Sequence, residues 1–294
     1  MDLTQGPVAR MLIVFSLPII AQMSIQPLFA VIDRIFIAQL GAEQFNAVVN
    51  AAALQMLVIV LSAGLANGVT SYVARMVGKG DLAEADNAAQ HALLLMLILS
   101  GAFIAVFYPL HAGFFRLLNM NEAYQDAAHD YIKVIIIGNL TIMFSLIGAN
   151  ILRGEGDSKT PFWLALISVL VNLALAPPLI FARDQQVFGL SIGWLGWGVF
   201  GGALATVIGR SVGSLLLIGH LLRGKSVWTF SFKNFRWRPR HLIEILRVGF
   251  PMLLVNLSAW LASLVFMRML NENPAAVVAF GMGAQLDMLA ILPM

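Results

Sequence analysis

The sequence predicts an all-α integral membrane protein, and three observations carry that assignment. Hydrophobic residues make up 60% of the 294 and charged residues only 11%. The mean hydropathy is +0.85. The apolar residues also gather into runs of about 20, the length a helix needs to cross a hydrocarbon layer of about 30 Å. Soluble domains carry about 25% charged residues, so a water-soluble enzyme, a disordered chain and a secreted disulfide scaffold are excluded. The sequence has no cysteine, which removes disulfides, iron–sulfur clusters and thiolate metal sites.

Seven complete runs stand out: Ala9 to Ile32, Val48 to Ser71, His91 to Gly113, Tyr131 to Leu152, Phe162 to Ala182, Gly196 to Leu222 and Ile245 to Met269. An eighth, Ala275 to Met294, reaches the end of the sequence. None alternates with the period of two that a spanning strand requires, and a helix is the one open element that satisfies its own backbone in lipid. The opening MDLTQGPVAR has neither a basic cluster nor a small-residue cleavage site, so it reads as a retained first span. With the N-terminus placed in the cytoplasm, twelve Lys and Arg fall on the inner side, five on the outer side, and Arg210 lies inside the sixth run. Positive charge is held back on the inner face during insertion. The expectation is a multi-pass protein of a bacterial inner membrane, N-terminus inside.

The first and seventh spans match each other weakly. Leu17-Pro18-Ile19-Ile20 recurs as Phe250-Pro251-Met252-Leu253, and Leu54-Gln55-Met56-Leu57 as Leu286-Asp287-Met288-Leu289. Such self-similarity predicts a repeat of six spans. The expected organisation is a six-helix N-terminal lobe over 1–222, a cytoplasmic inter-lobe linker over 223–241, and over 242–294 the first two helices of an incomplete second six-helix lobe.

The loops after the second and fourth spans share a pattern, Arg75-Met-Val-Gly78-Lys79-Gly80-Asp81 and Arg153-Gly154-Glu155-Gly156-Asp157-Ser158-Lys159-Thr160-Pro161. Glycine allows a tight reversal, aspartate caps the next helix, and proline suits a first turn. The second of these loops resembles the LRGxGDxxxP signature of the MATE (multidrug and toxic compound extrusion) transporters of the MOP flippase superfamily. The resemblance extends to DLTQGPVARML, to Pro18, to Asp33-x-x-Phe36-Ile37-Ala38-x-Leu40-Gly41, to Asn172, and to Gly198-Val199-x-Gly201-Gly202-Ala203-x-Ala205-Thr206. It implies two six-helix lobes facing a central cavity. It also implies export of cationic or amphipathic drug-like molecules by alternating access, in exchange for H+ or Na+. No other cofactor, no enzymatic reaction and no nucleic-acid partner is implied, and the bilayer is the other partner. On this resemblance the chain is one lobe plus the opening of a second, and two alternatives stay open: a lipid-linked precursor flippase of the same superfamily, and a non-transporting membrane fragment or assembly partner.

Asp33 is the most informative acid. It lies 23 residues after Arg10, roughly 34 Å along a helix, near the outer half of the membrane. A charge at the bilayer centre costs about 2.5 to 3.5 kcal/mol, so an acid kept in a span points either to wet headgroups or to ion chemistry. The resemblance places the family's first-span coupling aspartate on Asp33, with Gln26 and Asn172 as polar neighbours and Pro18 at a helix bend tied to cavity collapse. One departure concerns coupling: proton-coupled relatives carry a second aspartate four residues after the fifth-span asparagine, where this sequence has Ala176. Pro177-Pro178, lacking two backbone donors, should bend or end the fifth helix. Asp287, in the eighth run, is a possible member of a second-lobe cation site.

Other signals have plainer readings. Gly196-Trp197-Gly198-Val199-Phe200-Gly201 fits GxGxxG, but no strand precedes it. Close helix packing explains it better, as for Gly64-x-x-x-Gly68 and Gly209-x-x-x-Gly213. Arg210 is read as lobe packing or snorkelling. The basic, aromatic stretch from Trp228 to Arg240 is expected against anionic headgroups. The five histidines are scattered without metal-ligand spacing.

Overall fold

A computed structural model describes residues 8–185, 194–223, 226 and 235–291. Eight helices run in order: α1 (Val8–Ala38), α2 (Ala42–Gly78), α3 (Leu82–Leu117), α4 (Gln125–Gly154), α5 (Lys159–Ile180), α6 (Gly198–Leu222), α7 (Pro239–Leu270) and α8 (Pro274–Ile291). A single 3₁₀ turn, Glu122–Tyr124, precedes α4. Among the described residues six helices are long and apolar enough to cross a membrane, and the β pairing is confined to isolated bridges of Ala182 with Trp194 and Leu195. The all-helical membrane class is as the composition required.

The two glycine–aspartate loops fold alike. After α2, Gly80 takes φ +75°, and the Asp81 N–H reaches back to the Met76 carbonyl at 3.0 Å. After α4, Gly156 takes φ +88°, and the Asp157 N–H reaches the Leu152 carbonyl at 2.9 Å. Both are left-handed glycine terminations that satisfy the helix's last carbonyls. Each aspartate then caps the following helix: Asp81 Oδ1 accepts from the Glu84 N–H at 3.1 Å, and Asp157 Oδ1 from those of Lys159 and Thr160 at 3.0 Å. Both loops lie at the same end of the bundle, called here the basic end because Arg75, Arg153 and the start of α7 share it.

α2 is the hub, packed on α3, α4 and α7; α4 then meets α6, α6 meets α5, and α5 meets α1. The glycine stripes set two of these contacts. A Cβ on Gly68 would fall on the Ile245 carbonyl oxygen of α7, and one on Gly249 of α7 on the Gly64 carbonyl oxygen. On α6, a Cβ at Gly209 would come within 2.9 Å of the Asn172 Cβ, and one at Gly201 would strike the Leu179 carbonyl. Backbones approach this closely only where side chains are missing.

Two details differ from the hydropathy reading. α3 begins nine residues before the apolar run, at Leu82, because Asp81 caps it there and its polar first turns pack inside protein: Asn87, Gln90 and His91 are buried. α5 stays helical through Pro177 and Pro178 and stops at Ile180. The carbonyls near that end are taken by the returning chain, with the Leu195 N–H on Pro178 at 2.9 Å and the Trp197 N–H on Leu179 at 2.9 Å. The helix therefore ends two residues past the proline pair, where the returning chain takes its last carbonyls, and α1 runs helical through Pro18.

Candidate functional site

Near the end of α1 opposite the basic end, Ile37 is fully buried against α6, where Gly202 leaves room for it, and Phe36 meets Phe181 edge-on with ring centroids 6.3 Å apart. This packing fixes the rotation of α1 one turn beyond Asp33. Asp33 is half-buried, and its Oδ1 is shut off from water with no hydrogen-bond partner among the described residues. Its charge is felt by Tyr131 of α4, whose hydroxyl donates to Gln55 Oε1 of α2 at 3.2 Å. Arg34, the next residue, also acts on Asp33 through space, yet no Asp33–Arg34 ion pair forms among the described residues.

Asn172 sits at the α5–α6 seam, buried, with its Nδ2 donating to the Thr206 hydroxyl at 3.0 Å; Thr206 in turn donates to the Gly202 carbonyl at 3.1 Å. Its Oδ1 has no partner among the described residues. No hydrogen bond joins Asp33 to Asn172. Each nevertheless presents one buried oxygen without a partner among the described residues, which costs about 1–3 kcal/mol per group when left unsatisfied. Ala176, one turn beyond Asn172, is buried and offers nothing polar. The side chains of Gln26 and Asp287 lie outside the described residues. Among the described residues no three of His, Asp or Glu gather as a metal site.

A second polar place, unanticipated as such, lies at the basic end between α1, α4, α5 and α6. It is a cavity of about 50 Å³ lined in part by Gln22, Ser145, Asn150, Arg153, Ser168 and Arg210. Arg153 donates to Gln22 Oε1 at 2.5 Å and to Asn150 Oδ1 at 3.4 Å. The Ser145 and Ser214 hydroxyls are 2.8 Å apart. Arg210 lines the same chamber as Arg153, and its backbone carbonyl accepts from the Ser145 hydroxyl at 3.3 Å. Sequence separation hid this: Gln22 and Arg153 are 131 residues apart.

In the described part of the linker, Phe235 and Trp237 pack on the buried His91 of α3, with centroids 4.8 and 5.4 Å away, while Trp237 keeps an exposed face. Arg238 pairs with Glu84 at 2.7 Å.

With the geometry in place, the chain can be set beside known proteins. The family profile described as MatE matches residues 18–177, more than half of the 294. The chain is 28% identical over 99% of its length to a protein of Shewanella oneidensis named FAD transporter, of which it covers 63%. It is 24% identical over 97% of its length to the probable multidrug resistance protein NorM of Thermotoga maritima, covering 60% of that protein. Among solved structures it resembles an inward-facing multidrug resistance MATE family transporter of the MOP superfamily, with TM-score 0.81 and 30% identity over 94% of this chain and 62% of that one. It also resembles a MOP superfamily transporter from Pyrococcus furiosus described as having a binding pocket of reversed polarity, with TM-score 0.78 and 28% identity over 98% of this chain and 68% of that one. The chain therefore spans less than two thirds of the curated relatives named here. A profile matching most of α1 to α5 and a shared helical architecture agree on one conclusion: this multi-pass membrane chain belongs to the MatE family.

Proposed function

We propose that this chain supplies the ion-coupling lobe of an exporter that moves small amphipathic molecules across a bacterial inner membrane by alternating access. Residues 1–222 form that lobe, 223–241 link it onward, and 242–294 open the second body against which it rocks. The basic end faces the cytoplasm, because the positive charge gathers there. Asp33 loads H+ or Na+, with Asn172 and Gln26 as polar neighbours, and the bend-forming Pro18 lies on the same helix. Asp287 is proposed for a cation site in the second body. Multidrug names among the relatives support drug-like cargo, and the protein named FAD transporter widens the range of molecules to be tried.

The observation that carries this reading is the buried, unpartnered Oδ1 of Asp33 inside an apolar bundle. A carboxylate held there at a cost has a use only if something binds it. The test is ethidium efflux from cells stripped of their own exporters and expressing the protein. Asp33→Asn, which keeps shape and removes titration, should abolish efflux while membrane levels stay normal. Undiminished efflux in that variant would remove Asp33 from the mechanism.

A further inference from the structure

We propose that His111 and His129 form a binding site for a divalent transition ion of the zinc class, at the end of the bundle opposite the basic end. The site is separate from Asp33, and neither reading depends on the other.

The first ground is that folding brings the two rings together. His111 stands in the last turns of α3 and His129 in the first turns of α4. The short connection between these helices lays the ring centroids 4.9 Å apart, with the planes at 81°. Phe115, fully buried, backs the His129 ring at 5.1 Å. A zinc–nitrogen bond of about 2.0–2.1 Å puts the centre of a ligating imidazole about 3.2 Å from the ion. Two such rings at the observed separation subtend about 100° at the ion, close to the tetrahedral angle.

The second ground is the state of the nitrogens. His111 Nδ1 lies 2.5 Å from the Tyr108 carbonyl. That oxygen only accepts, so Nδ1 carries the hydrogen and Nε2 keeps its lone pair, with no hydrogen bond to Nε2 among the described residues. A ring whose far N–H is held by a backbone carbonyl is the usual form of a metal-binding histidine, because that bond fixes the tautomer and raises the basicity of the free nitrogen. On the facing ring, Nδ1 of His129 is shut off from water and has no hydrogen-bond partner among the described residues. A buried nitrogen in that state is costly, and a bound ion removes the cost.

The third ground is charge and access. Asp126 and Asp130 flank His129 on α4, Lys133 lies one turn further on, and all three act on the ring through space. Two carboxylates against one ammonium favour a cation. Both acids are exposed and both histidines half-buried, so water at the rim can fill the remaining coordination positions. Among the described residues no third His, Asp or Glu completes the group, which fits a site open to solvent ligands and not a closed structural one. Imidazole nitrogen selects Zn2+, Cu2+ and Ni2+ over Mg2+ and Ca2+.

The experiment uses the intact chain, purified without a histidine tag in maltoside micelles, with Zn2+ as the probe. The sequence has no cysteine, so thiolates do not compete for the ion. At ten times its dissociation constant, Zn2+ should slow carbethoxylation of His111 and His129 by diethyl pyrocarbonate by about tenfold relative to Mg2+ at the same concentration, read residue by residue by mass spectrometry. His220, in the last turn of α6, should label alike with both ions. Equal labelling of His111 and His129 in the two ions overturns the proposal, and slowing of His220 to the same degree marks adventitious binding and overturns it as well. This arm uses the unaltered protein, so it stands even if a variant fails to fold. Where they fold, His111→Ala and His129→Ala should each weaken Zn2+ binding by at least about tenfold, measured by competition with a chromophoric chelator, while His220→Ala leaves it unchanged. Unchanged affinity in either of the first two would also overturn the site.

Discussion

His91 Nε2 accepts a hydrogen bond from the backbone N–H of Arg238 at 3.0 Å, 147 residues away. Its Nδ1 lies 2.8 Å from the Asn87 carbonyl, an acceptor, so Nδ1 carries the hydrogen and Nε2 is left to accept. One buried ring thus holds the N-cap of α7 on the first turns of α3. Its neighbour His241 closes the same corner through the Tyr72 hydroxyl at 3.1 Å.

Replacing His91 with alanine leaves the Arg238 N–H without that acceptor and takes away the surface on which Phe235 and Trp237 pack. A loss of about 1–3 kcal/mol is expected from the hydrogen bond alone, read as a lower midpoint of thermal unfolding by tryptophan fluorescence. An unchanged midpoint would mean that this corner does not hold α7.

Gly68→Ala should destabilise the chain strongly, because the added Cβ would fall on the Ile245 carbonyl oxygen. Gly101→Ala on α3 meets open space and should stabilise by up to about 1 kcal/mol through helix propensity. Opposite signs in the two unfolding midpoints are the expected result, and equal shifts would show that the α2–α7 contact is looser than described.

The capping aspartates are separable from their charge. Asp81→Ala and Asp157→Ala should each cost about 1 kcal/mol, whereas the asparagine variants keep an acceptor and should cost far less. If the asparagine and alanine variants unfold alike, capping is not what these residues supply.

Tyr131→Phe removes the hydrogen bond to Gln55 beside Asp33 while preserving the ring's packing. Transport should fall several-fold with little change in the unfolding midpoint, since a lost neutral hydrogen bond costs only about 1 kcal/mol. A fall in midpoint with normal transport would make Tyr131 a purely structural residue.

Much of this could be read from the sequence because it is local. The order of the helices follows from apolar runs of sufficient length, although six of them rather than seven or eight are long and apolar enough to cross a membrane among the described residues. The reversals at Gly80-Asp81 and Gly156-Asp157 follow from what glycine and aspartate each do within four residues. Asp33 announces itself as an acid in an apolar run. What could not be read is what depends on distant pairs. Nothing in the neighbourhood of Gln22 indicates that it meets Arg153, and the polar start of α3 looks like a loop until Phe235, Trp237 and Arg238 are seen to cover it. Hydropathy measures whether a residue would leave water, but says nothing about which partner receives it.

The contact between α2 and α7 is unlike at its two ends. Toward the basic end, bare backbones meet at Gly64, Gly68 and Gly249. At the far end, Asn271 Nδ2 donates to Asn50 Oδ1 at 2.7 Å and to the Leu118 carbonyl at 2.9 Å. Water can substitute for both of those bonds at little net cost, but it offers nothing to replace the close fit of the glycines. The seam is thus a hinge with a clasp: it should pivot on the glycine end and unfasten at the asparagines. Because the sequence has no cysteine of its own, a disulfide engineered between positions 50 and 271 would lock the clasp. A locked protein that still moved cargo at full rate would place the opening somewhere else.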